Sequence, residues 1–347
     1  MKAIKKVLVV LLMLALVLPC LSACNDNRVT IRVYNWGEYI DEEMIERFEQ
    51  ETGIRVEYTT FDTNEGMYTK VKNAGDDSYD IVVPSDYMIK KMIEEDMLAE
   101  INFDNIPNIS NVDPMYLNPS YDPEGKYSVP YLAGAVGILY NTDETGGEEI
   151  TSWRSLFDSK YAGKVCMLDS MRDSIGLTLK MLGYSMNDTD PAHINEAKEL
   201  LIAQKPNVLA YGTDNLAQKV MTGTAAMAMV YPGEGISAVD EQPENLKFVI
   251  PQEGSNIAVD SFVILKTTKH QAEAEAFINF MLEPDVAAAN AVASGYGTTN
   301  AAAKAQLPEE VANDPRLYPS ADVVAKCEEF TSPNEPYIDA WNEIKAK

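Results

Sequence analysis

The chain has 347 residues, of which 46% are hydrophobic and 24% charged, which excludes wholesale disorder. At roughly 100–200 residues per domain, that length suggests about two domains. Its 54 acids against 28 lysines and arginines give a formal charge of −26, which argues against a nucleic-acid partner, because phosphates need a basic face. Two histidines are too few for a multi-histidine metal centre, and no metal or cofactor is expected.

Lys2, Lys5 and Lys6 precede an apolar run from Val7 to Leu18. A bilayer-spanning helix needs about 20 apolar residues, so this shorter run reads as the core of a signal peptide. Leu21-Ser22-Ala23-Cys24 follows and resembles the lipobox of bacterial lipoproteins. That resemblance implies cleavage before Cys24 and a lipid on it. Residues 1–23 are then the signal and 24–27 a short tether. Losing three lysines and no acids takes the formal charge from −26 to −29. Lipidation places the chain outside the cytoplasm, on the outer face of the cell membrane. Besides Cys20 in the signal, Cys166 and Cys327 remain. Spacing alone does not pair them, and two buried thiols are expected.

The mature chain opens with Thr30 to Asn35, whose alternation predicts a strand. Asp41-Glu42-Glu43 opens a helix, with acids suited to its dipole, and Gly53 ends it. Ile54 to Tyr58 reads as a strand, Asn64 to Lys72 as a helix, and Ile81-Val82-Val83 as a buried strand before Pro84. This β-α-β-α-β order predicts an open parallel sheet, with ligands at the carboxyl ends of its strands. Strands are next expected at Val136–Tyr140, Val165–Leu168, Ala225–Tyr231, Phe248–Ile250 and Phe262–Leu265. Helices are expected at Trp153–Phe157, Ile194–Gln204, Leu216–Met221 and Ala272–Leu282, the last stopped by Pro284. The expected fold class is α/β, in two lobes.

No Gly-x-Ser-x-Gly elbow, Walker loop or His-Glu-x-x-His is present, so no enzymatic activity is expected. His193 and His270 read as solvated residues at helix starts. Gly233-Glu-Gly235-Ile-Ser-Ala238 fits a dinucleotide fingerprint, but Pro232 precedes it and an acid stands between the glycines. Aromatic residues beside acids recur after predicted strands instead. Examples are Tyr34-Asn35-Trp36-Gly37-Glu38-Tyr39, Pro84-Ser85-Asp86-Tyr87, Asp169 to Asp173, Tyr231-Pro232-Gly233-Glu234, Val259-Asp260-Ser261 and Gly295-Tyr296. Singly, each aromatic is an ordinary core residue and each acid an ordinary solvated cap. Together they suit an organic cation, held on aromatic faces at about 0.5–2 kcal/mol each and by charge-assisted hydrogen bonds to carboxylates.

With Asp80 to Tyr87, Ser152-Trp153, Leu182 to Ser185, Ile278-Asn279-Phe280 and Leu317-Tyr318-Pro319 added, the mature chain resembles the spermidine/putrescine-binding proteins of bacterial ABC importers. The resemblance implies a two-lobe periplasmic-binding-protein fold of the second type, with a central sheet in each lobe. Lobe 1 is expected at 28–136 plus 259–304, and lobe 2 at 137–258 plus 305–347. Two hinge crossovers are expected near Gly134–Gly137 and Ala258. It implies a monomer that binds a polyamine and hands it to ABC permease subunits. Carried over singly, Trp36, Glu38, Tyr39, Ser85 and Tyr87 match first-lobe ligand contacts. Asp173 matches an acidic contact, Tyr231 stands where Trp is frequent, Asp260 matches the carboxylate that grips an ammonium, and Tyr296 matches a wall aromatic. Ala258 and Ala133 replace common tryptophans, Ser170 an acid, and Gly37 a threonine. These departures imply a roomier, less acidic far end. They leave spermidine, putrescine and another organic cation open as ligands, with a surface-interaction lipoprotein as a further alternative.

Overall fold

The computed structural model describes residues 28–76, 78–331 and 335–347. The predicted signal, tether and Cys24 lie outside these residues. The first elements are β1 (Thr30–Trp36), α1 (Glu42–Thr52), β2 (Arg55–Phe61), α2 (Asn64–Asn73), β3 (Ile81–Val82) and α3 (Asp86–Glu94). Asp41 caps α1 by accepting from Glu43 N, and Gly53 ends it at φ 72°. Then come β4 (Ser128–Ala135), β5 (Gly137–Asn141), β6 (Val165–Leu168), α4 (Met171–Leu182), α5 (Pro191–Gln204), β7 (Val208–Gly212), α6 (Ala217–Met221), β8 (Met227–Val230), α7 (Pro232–Glu241) and β9 (Leu246–Val249). The chain continues through β10 (Ile257–Ile264), α8 (Gln271–Met281), α9 (Pro284–Ser294) and β11 (Gly297–Thr298), and α10 (Glu335–Ala346) lies near its end.

Two sheets form, in the orders β11-β4-β10-β3-β1-β2 and β7-β6-β8-β5-β9. The predicted parallel sheet is half of the first: β1 pairs in parallel with β2 and β3. The other half corrects it, because β10 runs antiparallel to both β3 and β4. The reason lies in the connections. β4 leaves this lobe for the second and β10 returns from it, so neither follows a right-handed β-α-β crossover. Phe48, Phe262 and Phe277 are fully buried behind this sheet, each worth about 1.5–3 kcal/mol.

Three elements depart from the pattern read in the sequence. β4 carries Pro130 and Gly134 and is buried on both faces, so it shows turn residues and no alternation. α4 is not among the expected helices, although Met171, Ile175, Leu179 and Leu182 recur at helical spacing; in the fold it is buried around nearly its whole circumference. α9 is not among them either: α8 does end before Pro284, as read in the sequence, and Pro284 then begins α9, where its missing N–H costs nothing.

Both expected crossovers are present. β4 passes into β5 at Val136, and β9 returns into β10. A third passage leads from lobe 1 to α10, which Lys198–Glu343 and Lys205–Ile344 contacts of 2.7 Å each tie to α5 and the residue after it. This passage runs beside the second crossover. Ile257 N donates to Glu328 O at 3.0 Å, and Glu328 N to Ser255 O at 2.9 Å. Cys166 and Cys327 are unbonded, as expected, but Cys327 is only half-buried because it lies on this surface passage.

Candidate ligand cleft

Asp260 stands where the lobes meet. It lies inside β10 rather than beyond a strand end, but the ladder with β4 breaks at that point. Asp260 faces Leu132 and Ser261 faces Pro130, so Tyr131 is skipped. Pro130 has no N–H to give the ladder, and a bulge re-aims the carboxylate. Asp260 Oδ2 accepts from Tyr39 Oη at 2.7 Å. Its Oδ1 is buried and has no hydrogen-bond partner among the described residues. Burial raises the Asp260 pKa; the Ser85 and Tyr39 hydroxyls and then Arg172 oppose the rise. The Tyr39 ring meets Tyr131 and Tyr296 edge-on, at centroid distances of 5.8 and 4.7 Å. Ser85 pairs with Asp260 in an isolated antiparallel bridge. Tyr39, Ser85, Asp260 and Tyr296 are therefore brought together.

Tyr87 lies on α3, beyond Ser85. Its hydroxyl donates to Glu65 at 2.7 Å, its ring meets Phe330 edge-on at 5.3 Å, and Arg172 lies 5.6 Å from the ring centroid. Arg172 reaches over from lobe 2, where its Nε is 3.3 Å from Asp173. Asp173 is fully buried. It accepts from Ser170 Oγ at 2.7 Å, Tyr231 Oη at 3.0 Å and Asn256 Nδ2 at 2.8 Å. Four protein donors thus fill the carboxylate, so Asp173 orders its neighbours here, whereas Asp260 keeps an oxygen open. Ser170, one of the noted departures, is used up as the N-cap of α4 and as a donor to Asp173.

Trp36 and Glu38 lie further out. The half-buried Trp36 ring packs on Phe61 at 4.4 Å, and its buried Nε1 has no partner among the described residues. Glu38 is exposed at φ 50°. With Tyr39, Tyr58 and Thr60 it lines an open depression of about 510 Å³. Its charge is felt across the cleft by Asp214 and Glu234 of lobe 2. The predicted residues thus divide into a buried centre around Asp260 and an acidic mouth around Glu38.

Sequence reading passed over Asp86, Arg172, Asp214, Glu234 and Phe330. Asp86, Arg172 and Glu234 stood inside quoted stretches, where the acids read as ordinary solvated caps and Arg172 was given no role. Burial pushes the Asp86 pKa up to about 7, helped by the charges of Asp260 and Glu329, while Arg172 and the Tyr87 N–H oppose it. Burial, then Asp214 and Glu38, push Glu234 up to about 7. Both groups hold a proton in the folded chain that the unfolded chain loses from about pH 4 upward, so their contribution to stability is lost as pH rises to about 7. The melting temperature of the ligand-free chain is therefore expected to fall between about pH 5 and pH 8, by roughly 2–4 °C per kcal/mol. The double variant Asp86→Asn/Glu234→Gln should flatten that decline. A flat wild-type profile would refute it.

The glycines of the dinucleotide-like motif are explained by packing. A β-carbon on Gly233 would lie 2.4 Å from Ser294 O, and one on Gly235 2.5 Å from Phe248.

Residues 43–319 match the family model of bacterial extracellular solute-binding proteins. A spermidine/putrescine-binding periplasmic protein of Salmonella typhimurium is 40% identical over 314 residues, 90% of each chain. The spermidine/putrescine ABC-transporter substrate-binding protein PotD of Streptococcus pneumoniae, solved with calcium and HEPES, superposes at a TM-score of 0.79. It is 39% identical, over 92% of this chain and 99% of its own. The TpPotD lipoprotein of Treponema pallidum also gives 0.79, at 28% identity over 91% and 98% of the two chains. With its two mixed sheets and a match over most of its length, this chain belongs to the bacterial extracellular solute-binding proteins.

Proposed function

We propose that this protein is a lipid-anchored receptor that captures a polyamine, spermidine or putrescine, between its lobes and delivers it to ABC permease subunits. The observation that carries this reading is the buried Asp260 carboxylate, framed by Tyr39 and Tyr296 with Oδ1 unfilled. An ammonium supplies what that oxygen lacks, and the tyrosine rings accept its alkyl chain and charge. Relatives that bind spermidine and putrescine support the choice of ligand, and the Treponema lipoprotein supports the anchor on Cys24. Trp36, Glu38, Tyr39, Ser85, Tyr87, Tyr231 and Tyr296 form the walls, and Asp173 sets Tyr231 and Asn256. Lobe 1 (28–136 plus 259–304) and lobe 2 (137–258 plus 305–347) close on the ligand by hinge motion. The protein acts as a monomer, and binding and closure are its whole mechanism.

A thermal-shift screen of the mature chain tests this. A ligand at about 100 times its Kd stabilises the folded state by about 2.7 kcal/mol, so spermidine or putrescine should raise the melting temperature clearly. A second reading draws on Ala133 and Ala258, small residues on the paired strands β4 and β10. On that reading the cleft takes a bulkier cation. A shift with a choline-type or thiamine-type cation and none with either polyamine would establish it. No shift with any cation would favour a surface-interaction lipoprotein.

A further inference from the structure

We propose that Asp86 is a second ammonium-recognising carboxylate of the cleft, acting with Asp260 from the same lobe. This rests on the polyamine reading above. The Ser85–Asp260 bridge and the Ser261 N to Pro84 O hydrogen bond at 3.2 Å hold the start of α3 against the bulge that aims Asp260. Asp86 is the first residue of α3 and is only 2% exposed. Its Oδ1 accepts from Tyr87 N at 2.7 Å, and its Oδ2 has no partner among the described residues.

A first-turn acid needs no ligand to explain it, because the helix dipole favours one. Burial is what sets Asp86 apart. Glu42 and Glu43 on α1 and Glu65 on α2 serve the same ends in full exposure. A carboxylate taken out of water with an open oxygen is destabilising unless something fills it. The cation acting on it from across the cleft is Arg172, which leans on Asp173 and carries its own unpartnered Nη1. Asp86 Oδ2, Asp260 Oδ1 and Arg172 Nη1 are thus three unmet buried groups, and the charges of these three residues act on one another. Arg172 tempers the acids before a ligand arrives, and each raised acid pKa is relieved once a cation fills the open oxygens. One ammonium placed between the two carboxylates donates to both.

Calorimetry on the mature chain with putrescine and with spermidine tests this. Asp86→Asn is expected to weaken both by about tenfold or more, since charge-assisted hydrogen bonds are lost. The melting temperature of the ligand-free variant should hold or rise, because an unpaired buried charge is gone. Asp86→Ser, checked for folding by circular dichroism, should lose the same affinity. Binding by both variants within about twofold of wild type overturns the proposal. So does a drop in melting temperature at unchanged affinity, which assigns Asp86 to the helix terminus alone. A wild-type chain that binds neither amine overturns the polyamine reading, and this proposal with it.

Discussion

Asp260→Ala is expected to weaken putrescine and spermidine binding by well over tenfold, since losing one partner of a buried charged hydrogen bond costs about 2–5 kcal/mol and about 1.4 kcal/mol is tenfold. Asp260, like Asp86, has one fixed and one open oxygen, but its fixed oxygen is held by an aromatic of the cleft wall rather than by the adjacent backbone. Oδ2 is held by Tyr39, which fixes the plane of the carboxylate, and Oδ1 is left for a donor. Asp173 has no such vacancy, because Ser170, Tyr231, Asn256 and Arg172 fill it. Asp260→Asn separates charge from shape. It keeps an acceptor for Tyr39 and removes the charge, so it should lose nearly as much affinity. Its ligand-free melting temperature should not fall, because the raised pKa marks the buried charge as unfavourable without a ligand. Calorimetry that finds both variants binding like wild type would remove Asp260 from the site.

Asp260 was singled out in the sequence through the resemblance, which hangs on short local motifs. It carries its own small motif, Val259-Asp260-Ser261, and so do Tyr39, Ser85 and Tyr296. β1, α1, β2 and α2 were legible on the same ground, since their alternation and caps are written within a dozen residues. What escaped depends on partners distant in the chain. Whether Asp86 is a solvated cap or a buried acid is decided by Asp260, Glu329 and Arg172, none of them near it in sequence. Arg172 drew no reading because its burial is set by partners far along the chain, Asp86 and Tyr87 of the first lobe and Tyr231 of the second. β4 hid behind Pro130, which faces Ser261 where the ladder shifts register beside Asp260.

Gly233→Ala is expected to weaken polyamine binding by about tenfold or more while leaving the ligand-free fold intact. Gly233 lies on α7 of lobe 2. Its added methyl would sit 2.4 Å from Ser294 O and 2.6 Å from Tyr296 Cε2, both in lobe 1. Backbone oxygen does not yield as a flexible side chain does, so the lobes must part. Tyr296 packs on Tyr39, which holds Asp260, so the displacement reaches the proposed ammonium site directly. Gly233 is the second residue of α7 and has a helical backbone, so within α7 itself alanine is tolerated there. The open chain should therefore melt no lower than wild type. Apparent affinity falls with the fraction of chains that can close, so the loss should be similar for putrescine and spermidine. Gly235→Ala is the contrast. Its methyl would meet Phe248 at 2.5 Å and Val230 at 2.9 Å, inside lobe 2, so it should lower the melting temperature with or without ligand. Small-angle scattering should find wild type compacting on polyamine addition and Gly233→Ala staying extended. A Gly233→Ala chain that binds and compacts like wild type would mean that this contact does not form on closure.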